Sequence, residues 1–235
     1  MSDKKLEGAG LRGQVAGKTS LSTVGKAGKG LTYRGYPIEV LSEKAKFEEV
    51  AYLLMYGSLP NKDEYENYSS KLISMRSLPN PILEVLERIP ASAHPMDVMR
   101  TGCSMLGNIE PEGEFSNQQE SADRILATMA SIIVYWYKYS HEGEKVNTSS
   151  DYETIGGHFL SLLHGDEPSE DHIRCLDTSL ILYAEHGFNA STFTARTCAS
   201  TLSDIHSCIT GAIGTLRGPL HGGANEAAME LIEQF

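Results

Sequence analysis

The sequence predicts a mainly α protein, a multi-helical domain preceded by one small β-hairpin, and three observations carry that reading. From Phe47 onward, apolar residues recur at three- and four-residue spacing in one segment after another, as an amphipathic helix requires. Most of these segments open on a capping residue or a proline, and glycines stand at several of their ends. The β-prone runs that suit a hairpin lie before residue 34. At 235 residues the chain can bury a sizeable core, and no self-similarity recurs at a solenoid period.

The elements follow in order. Thr19 to Val24 and Leu31 to Tyr33, separated by Lys26-Ala27-Gly28-Lys29-Gly30, read as the hairpin. Phe47, Val50, Ala51, Leu53 and Leu54 form an apolar stripe, which Gly57 ends as a C′ residue and Pro60 stops. Asn61 and Glu64 have capping-box spacing and open a helix through about Met75. Pro81 starts a short helix to about Ile89, and Pro95 starts one that reaches Gly107. Asn117 with Glu120 caps the longest helix, through Tyr139, whose Tyr135, Trp136, Tyr137 and Tyr139 read as core. Thr154 to Leu163, Ser169 to Glu185, Ala190 to about Thr201 and Asp204 to Leu216 complete the helices. The polar stretches Ile109 to Ser116 and His141 to Tyr152 read as surface loops within one core.

Composition narrows the function. The first thirty residues hold six Lys or Arg against two acids, a net of +4, which leaves −15 for the rest of a chain whose net charge is −11. An acidic body argues against nucleic acid as a partner, and the basic start reads as a solvated arm. No apolar run is long enough to span a bilayer, and the first residues lack the apolar core of a signal peptide, so no membrane role and a cytoplasmic location are expected. Cys103, Cys175, Cys198 and Cys208 are dispersed, with no zinc spacing, which predicts free thiols and no metal.

Two segments carry the chemistry. In Gly218-Pro219-Leu220-His221-Gly222-Gly223, Pro219 bars a helix from running in, while Ala227, Ala228, Leu231, Ile232 and Phe235 have helical spacing. His221 is therefore expected at a helix start, where the dipole disfavours positive charge and a neutral imidazole can donate to an oxygen that is becoming an enolate. Triosephosphate isomerase, a different protein, uses a neutral histidine in this way. A loop histidine satisfied by backbone is the plain alternative. In Tyr183-Ala184-Glu185-His186-Gly187-Phe188-Asn189-Ala190-Ser191, one helix ends near His186, and Asn189 or Ser191 caps the next. His186 and Asn189 suit a small polyanion beside the new helix's amides, and they suit simple capping equally.

Elsewhere, His94, Asp97 and Arg100 read as a capping and ion-pair network. Arg217 has the reach to meet a phosphate or carboxylate, or to pair with Glu226. A metal-dependent hydrolase using Glu185, His186 and His221 needs a further ligand, and none stands at suitable spacing. A non-catalytic helical domain that binds a dicarboxylate or dimerises fits the same residues.

Read together, E-H-x-x-N-A-S-T-F and the run from Ser203 to Glu226, S-D-I-H-S-x-I-T-G-A-I-G-x-L-R-G-P-L-H-G-G-A-N-E, resemble the citrate synthase family. The resemblance extends back through Leu21-Ser22-Thr23-Val24, Tyr33-Arg34-Gly35-Tyr36 and Phe47-Glu48-Glu49-Val50-Ala51, so it covers essentially the whole chain. Within the family, Ala93-His94-Pro95-Met96-Asp97-Val98-Met99-Arg100-Thr101-Gly102 and Tyr135 to His141 are most similar to members that use propionyl-CoA in place of acetyl-CoA. One methylene separates those substrates, worth only about 1–3 kcal/mol of discrimination.

The resemblance implies a homodimer that condenses an acyl-CoA with oxaloacetate, with no cofactor, since acyl-CoA is a substrate. It implies that His221 is catalytic, donating to the enolate oxygen, that His186 holds oxaloacetate with Asn189 in support, and that a tyrosine of the longest helix borders the acyl pocket. It also implies a second histidine, an aspartate base and arginine clamps downstream, which have no counterparts here. The chain is accordingly expected to be inactive alone, with residues 1–36 an arm bearing the hairpin, 37–221 a large helical domain, and 222–235 the start of a helix leading to a small domain.

Overall fold

The computed structural model describes residues 17–24, 30–223 and 229. Strands β1 (Ser22–Thr23) and β2 (Thr32–Tyr33) pair antiparallel as the hairpin reading requires, with Ser22 opposite Tyr33, while residues 25–29 between them lie outside the described set. A third strand, β3 (Tyr36–Pro37), was not anticipated. It follows a two-residue turn in which Arg34 and Gly35 both take positive φ (45° and 92°), the geometry that matches the twist of a tight hairpin. Tyr33 is fully buried, and its hydroxyl donates to the Ile181 carbonyl at 2.9 Å. The small sheet is thereby tied to the helix end that precedes His186.

Ten α-helices follow among the described residues: α1 (Ile38–Lys44), α2 (Phe47–Tyr56), α3 (Lys62–Ser74), α4 (Asn80–Leu86), α5 (Pro95–Ile109), α6 (Gln118–Tyr137), α7 (Ile155–His164), α8 (Glu170–Tyr183), α9 (Ala190–Ala199) and α10 (Ile205–Leu216). The mainly α reading holds. Start signals read from sequence work as physical caps. The Asn61 side chain accepts from the Glu64 amide at 3.0 Å while Glu64 Oε2 accepts from the Asn61 amide at 2.8 Å. Thr154, Ser169, Asn189 and Asp204 each accept an amide of their helix's first turn. Gly57 closes α2 in the left-handed region.

Three local readings need correction. The seven-residue α1 was missed, since Pro37 and a helix of under two turns leave too little periodicity to detect. Asn117 does not cap α6: it ends a 3₁₀ turn (Phe115–Asn117) with helical dihedrals, and its side-chain amide donates to the Glu112 carbonyl. The stretch after α6 is not simply a surface loop. A π-helical segment (Lys138–Glu142) extends α6, and Thr148 is buried, its hydroxyl accepting from the Leu78 amide at 2.9 Å. Arg76, itself fully buried, donates to the carbonyls of Ser150 and Tyr152. The segment supplies two carbonyls to one nitrogen of a buried guanidinium, a task its own composition does not disclose.

α6 runs through the centre, between two apolar clusters. One gathers Tyr33, Leu41, Val50, Leu53, Leu72 and Ile181. The other gathers Ile82, Leu86, Val98, Leu106, Ile132, Tyr135, Trp136 and Ile213. Tyr135 and Trp136 are core as expected, and Tyr137 is partly exposed. The second cluster seats α10 against α5 and so sets where the turn bearing His221 emerges.

Candidate active site

After Leu216 the chain turns sharply. The His221 amide donates to the Gly218 carbonyl and the Gly222 amide to the Leu216 carbonyl, both at 2.9 Å. A Cβ on Gly222 would sit 2.5 Å from that Leu216 oxygen, so only glycine permits the turn. Gly223 and Met229 have helical backbone. Residues 224–228 and 230–235, including Ala227, Ala228, Leu231, Ile232 and Phe235 of the expected helix, lie outside the described set.

The ring of His221 meets the start of a different helix. Its Nε2 lies 2.9 Å from Ser191 Oγ and accepts from the Ser191 backbone N–H at 3.4 Å, in the first turn of α9. The backbone N–H contact uses a lone pair on Nε2, whereas the shorter contact, to an oxygen whose own proton goes to Asn189 Oδ1, uses an Nε2–H.

His186 joins the same end of α9. Asn189, the N-cap, accepts from the Thr192 amide at 2.8 Å and from Ser191 Oγ at 2.7 Å through Oδ1, while its Nδ2 lies 3.2 Å from His186 Nε2. Because Nδ2 only donates, His186 Nε2 accepts there. One asparagine therefore caps the helix and links the two histidine positions. The alternatives of Asn189 or Ser191 as cap resolve into separate roles: Asn189 caps, and Ser191 holds His221.

These groups border a cavity of about 930 Å³, lined also by His94, Met96, Leu182, Tyr183, Thr192, Arg217 and Gly223. Among the described residues no Asp or Glu lines it, in a chain that carries 31 of them. The positive end of α9 at its wall favours negative charge there. His94 behaves as the expected cap, its Nδ1 accepting the Met96 amide at 3.1 Å, and Asp97 pairs with Arg100 at 3.1 Å. The tyrosine at the cavity is Tyr183, 70% exposed, and none of the α6 tyrosines lines it. Tyr183 stands three residues before His186, yet a single aromatic at a helix end has no periodic signature that would mark it.

Glu185 accepts from Ser22 Oγ and from the Gly187 amide, so it serves the turn. Among the described residues no group of three His, Cys, Asp or Glu could hold a metal ion, and no helix is long and apolar enough to cross a membrane. Asn189→Ala is expected to cost about 1 kcal/mol of stability through the lost cap, whereas Asn189→Asp keeps the cap and removes the donor to His186. Urea midpoints of the two variants measure the difference, and equal midpoints would show that the cap contributes nothing.

Residues 10–235 match the family model described as citrate synthase, C-terminal domain. The chain is 67% identical over 236 residues to a 2-methylcitrate synthase of Shewanella oneidensis, covering all of this chain and 63% of that protein. It superimposes on the citrate synthase of Thermotoga maritima MSB8 with a TM-score of 0.83 and 36% identity, over 96% of this chain and 60% of that one. It also superimposes on the citrate synthase of Thermoplasma acidophilum in its ternary complex with carboxymethyl coenzyme A and oxaloacetate, with a TM-score of 0.87 and 26% identity, over 95% and 59%. The chain thus spans about three-fifths of the length of these relatives.

Proposed function

The chain belongs to the citrate synthase family, and from that premise we propose that it serves the condensation of propionyl-CoA, oxaloacetate and water to 2-methylcitrate and CoA. One observation carries the reading: the cavity that joins His186 to His221 across the start of α9 presents donors and no carboxylate among the described residues. The 67% identity to a 2-methylcitrate synthase supports propionyl-CoA as the acyl substrate.

In the proposed reaction the carbon beside the thioester carbonyl loses a proton, and the charge that develops moves to the carbonyl oxygen. In this reading His221, whose Nε2 rests against Ser191, carries its proton on Nδ1 and donates from there to that oxygen. His186 and the amides at the start of α9 hold oxaloacetate, with Asn189 orienting His186. The base that takes the carbon's proton is not among the described residues lining the cavity.

The chemistry calls for no cofactor, since acyl-CoA is a substrate. The four free thiols support a cytoplasmic setting. A homodimer is part of the proposal. α9 has no buried residue over its ten positions, and Phe115 and Leu202 are 68% and 84% exposed, surfaces that a second copy would cover.

His186→Ala should weaken oxaloacetate binding about 10- to 100-fold, the worth of a hydrogen bond to a charged group. Calorimetric titration with oxaloacetate measures it, beside oxaloacetate-dependent CoA release from propionyl-CoA and acetyl-CoA in the protein as its own cells make it. Absence of CoA release with both thioesters rejects the condensing reading. A preference for acetyl-CoA reassigns the substrate, and binding without turnover points to a dicarboxylate-binding domain.

A further inference from the structure

Arg217 is the one guanidinium among the described residues that line the cavity, at the C-cap of α10 and four residues before His221. Its own contacts leave it underused. Among the described residues Nε, shielded from solvent, has no hydrogen-bond partner, and Asp97 Oδ2 lies 3.7 Å away, too far for a hydrogen bond. Asp97 is already engaged on its other oxygen by Arg100 at 3.1 Å. Two guanidiniums thus share one carboxylate, leaving a net positive charge beside the cavity in a chain of net charge −11. The expected alternative of pairing with Glu226 falls on a residue outside the described set.

A shielded guanidinium nitrogen without a hydrogen bond is costly, and a planar fork is the side chain best matched to two oxygens of one anion. We propose that Arg217 anchors the anionic end of a substrate in this cavity, taking a carboxylate or phosphate oxygen pair while Asp97 and Arg100 keep its guanidinium in place. The assignment rests on the condensing reading only for the identity of the ligands, where the carboxylates of oxaloacetate and the phosphates of CoA offer the same chemistry.

The test compares this polypeptide with Arg217→Gln and Arg217→Lys by calorimetric titration with oxaloacetate, with CoA, and with pantetheine, which lacks the phosphates. Circular dichroism and melting midpoints check the fold. Arg217→Gln should lose about tenfold in affinity for one ligand, and Arg217→Lys, which keeps the charge without the fork, should lose less. Loss confined to oxaloacetate assigns a carboxylate. Loss for CoA with pantetheine unchanged assigns a phosphate. If Arg217→Gln does not fold, a lysine variant weaker than the parent by a few-fold on one ligand still supports the anchor. Affinities within twofold of the parent on every ligand overturn this proposal and leave the condensing reading intact. A parent that binds neither oxaloacetate nor CoA overturns both.

Discussion

His221→Ala should lower turnover about 10²- to 10³-fold, some 3–4 kcal/mol of transition-state stabilisation, which is the usual loss when one preorganised donor to an oxyanion is removed. Affinity for oxaloacetate should stay within about twofold, because His186 and the amides of α9 remain. The contrast follows from differential binding: a donor that strengthens only as charge develops on the thioester oxygen acts on turnover and not on ground-state affinity. Turnover of oxaloacetate-dependent CoA release, set against a calorimetric dissociation constant, measures both. The opposite pattern, affinity lost and turnover kept, would mean that the roles of His221 and His186 are exchanged.

Between pH 6.5 and 4.5, the stability of the parent should fall by about 2 kcal/mol relative to His158→Gln. His158 is fully buried between Ser131 Oγ at 2.9 Å and Ser150 Oγ at 2.7 Å. Ser131 spends its hydroxyl proton on the Arg76 carbonyl, so the ring donates to Ser131 through Nε2 and accepts from Ser150 at Nδ1, a neutral imidazole. Burial, with the nearby Arg76 charge, pushes its pKa down from 6.5 to about 3. The unfolded chain therefore takes up a proton that the fold refuses, and stability drains away as pH falls through that window.

Two buried carboxylates oppose the trend. Burial raises Glu48, which accepts the Ile155 amide at the start of α7, to about 7, and Asp177 to about 6. The folded state keeps protons there that the unfolded state releases, so both contribute stability as pH falls toward 4.5 and 3.8. The parent's own curve is flattened by this opposition, whereas its difference from the glutamine variant isolates the histidine. Urea unfolding across the range supplies the values. Parallel curves for parent and variant would show that His158 does not titrate in the unfolded state alone.

Much of the helical architecture was legible because its signals are short-ranged. Asn61 and Glu64, or Thr154 and Gly157, meet within one turn, so both partners of the bond stand close together in the sequence. Where the decisive partner is remote, the reading failed. Asn117 has capping spacing from Glu120, yet its side-chain amide donates to Glu112 instead. The stretch from His141 to Tyr152 reads as a surface loop because its polar groups serve Arg76 and Leu78, which are near in space and distant along the chain.

The candidate site divides the same way. The mainly α fold, the caps at Asn61, Thr154, Ser169, Asn189 and Asp204, and His186, Asn189 and His221 as the residues of interest were all legible in the sequence, since each lies in a helix-end segment with local chemistry of its own. Only the tertiary structure decided that Ser191 is the residue that holds His221, that Tyr183 and not an α6 tyrosine reaches the cavity, and that no carboxylate among the described residues lines it. Periodicity and caps specify how each helix begins and which face it buries. Which helix ends then meet is set by side-chain packing of α10 against α5 and α9, contacts that bring residues thirty positions apart within hydrogen-bonding distance.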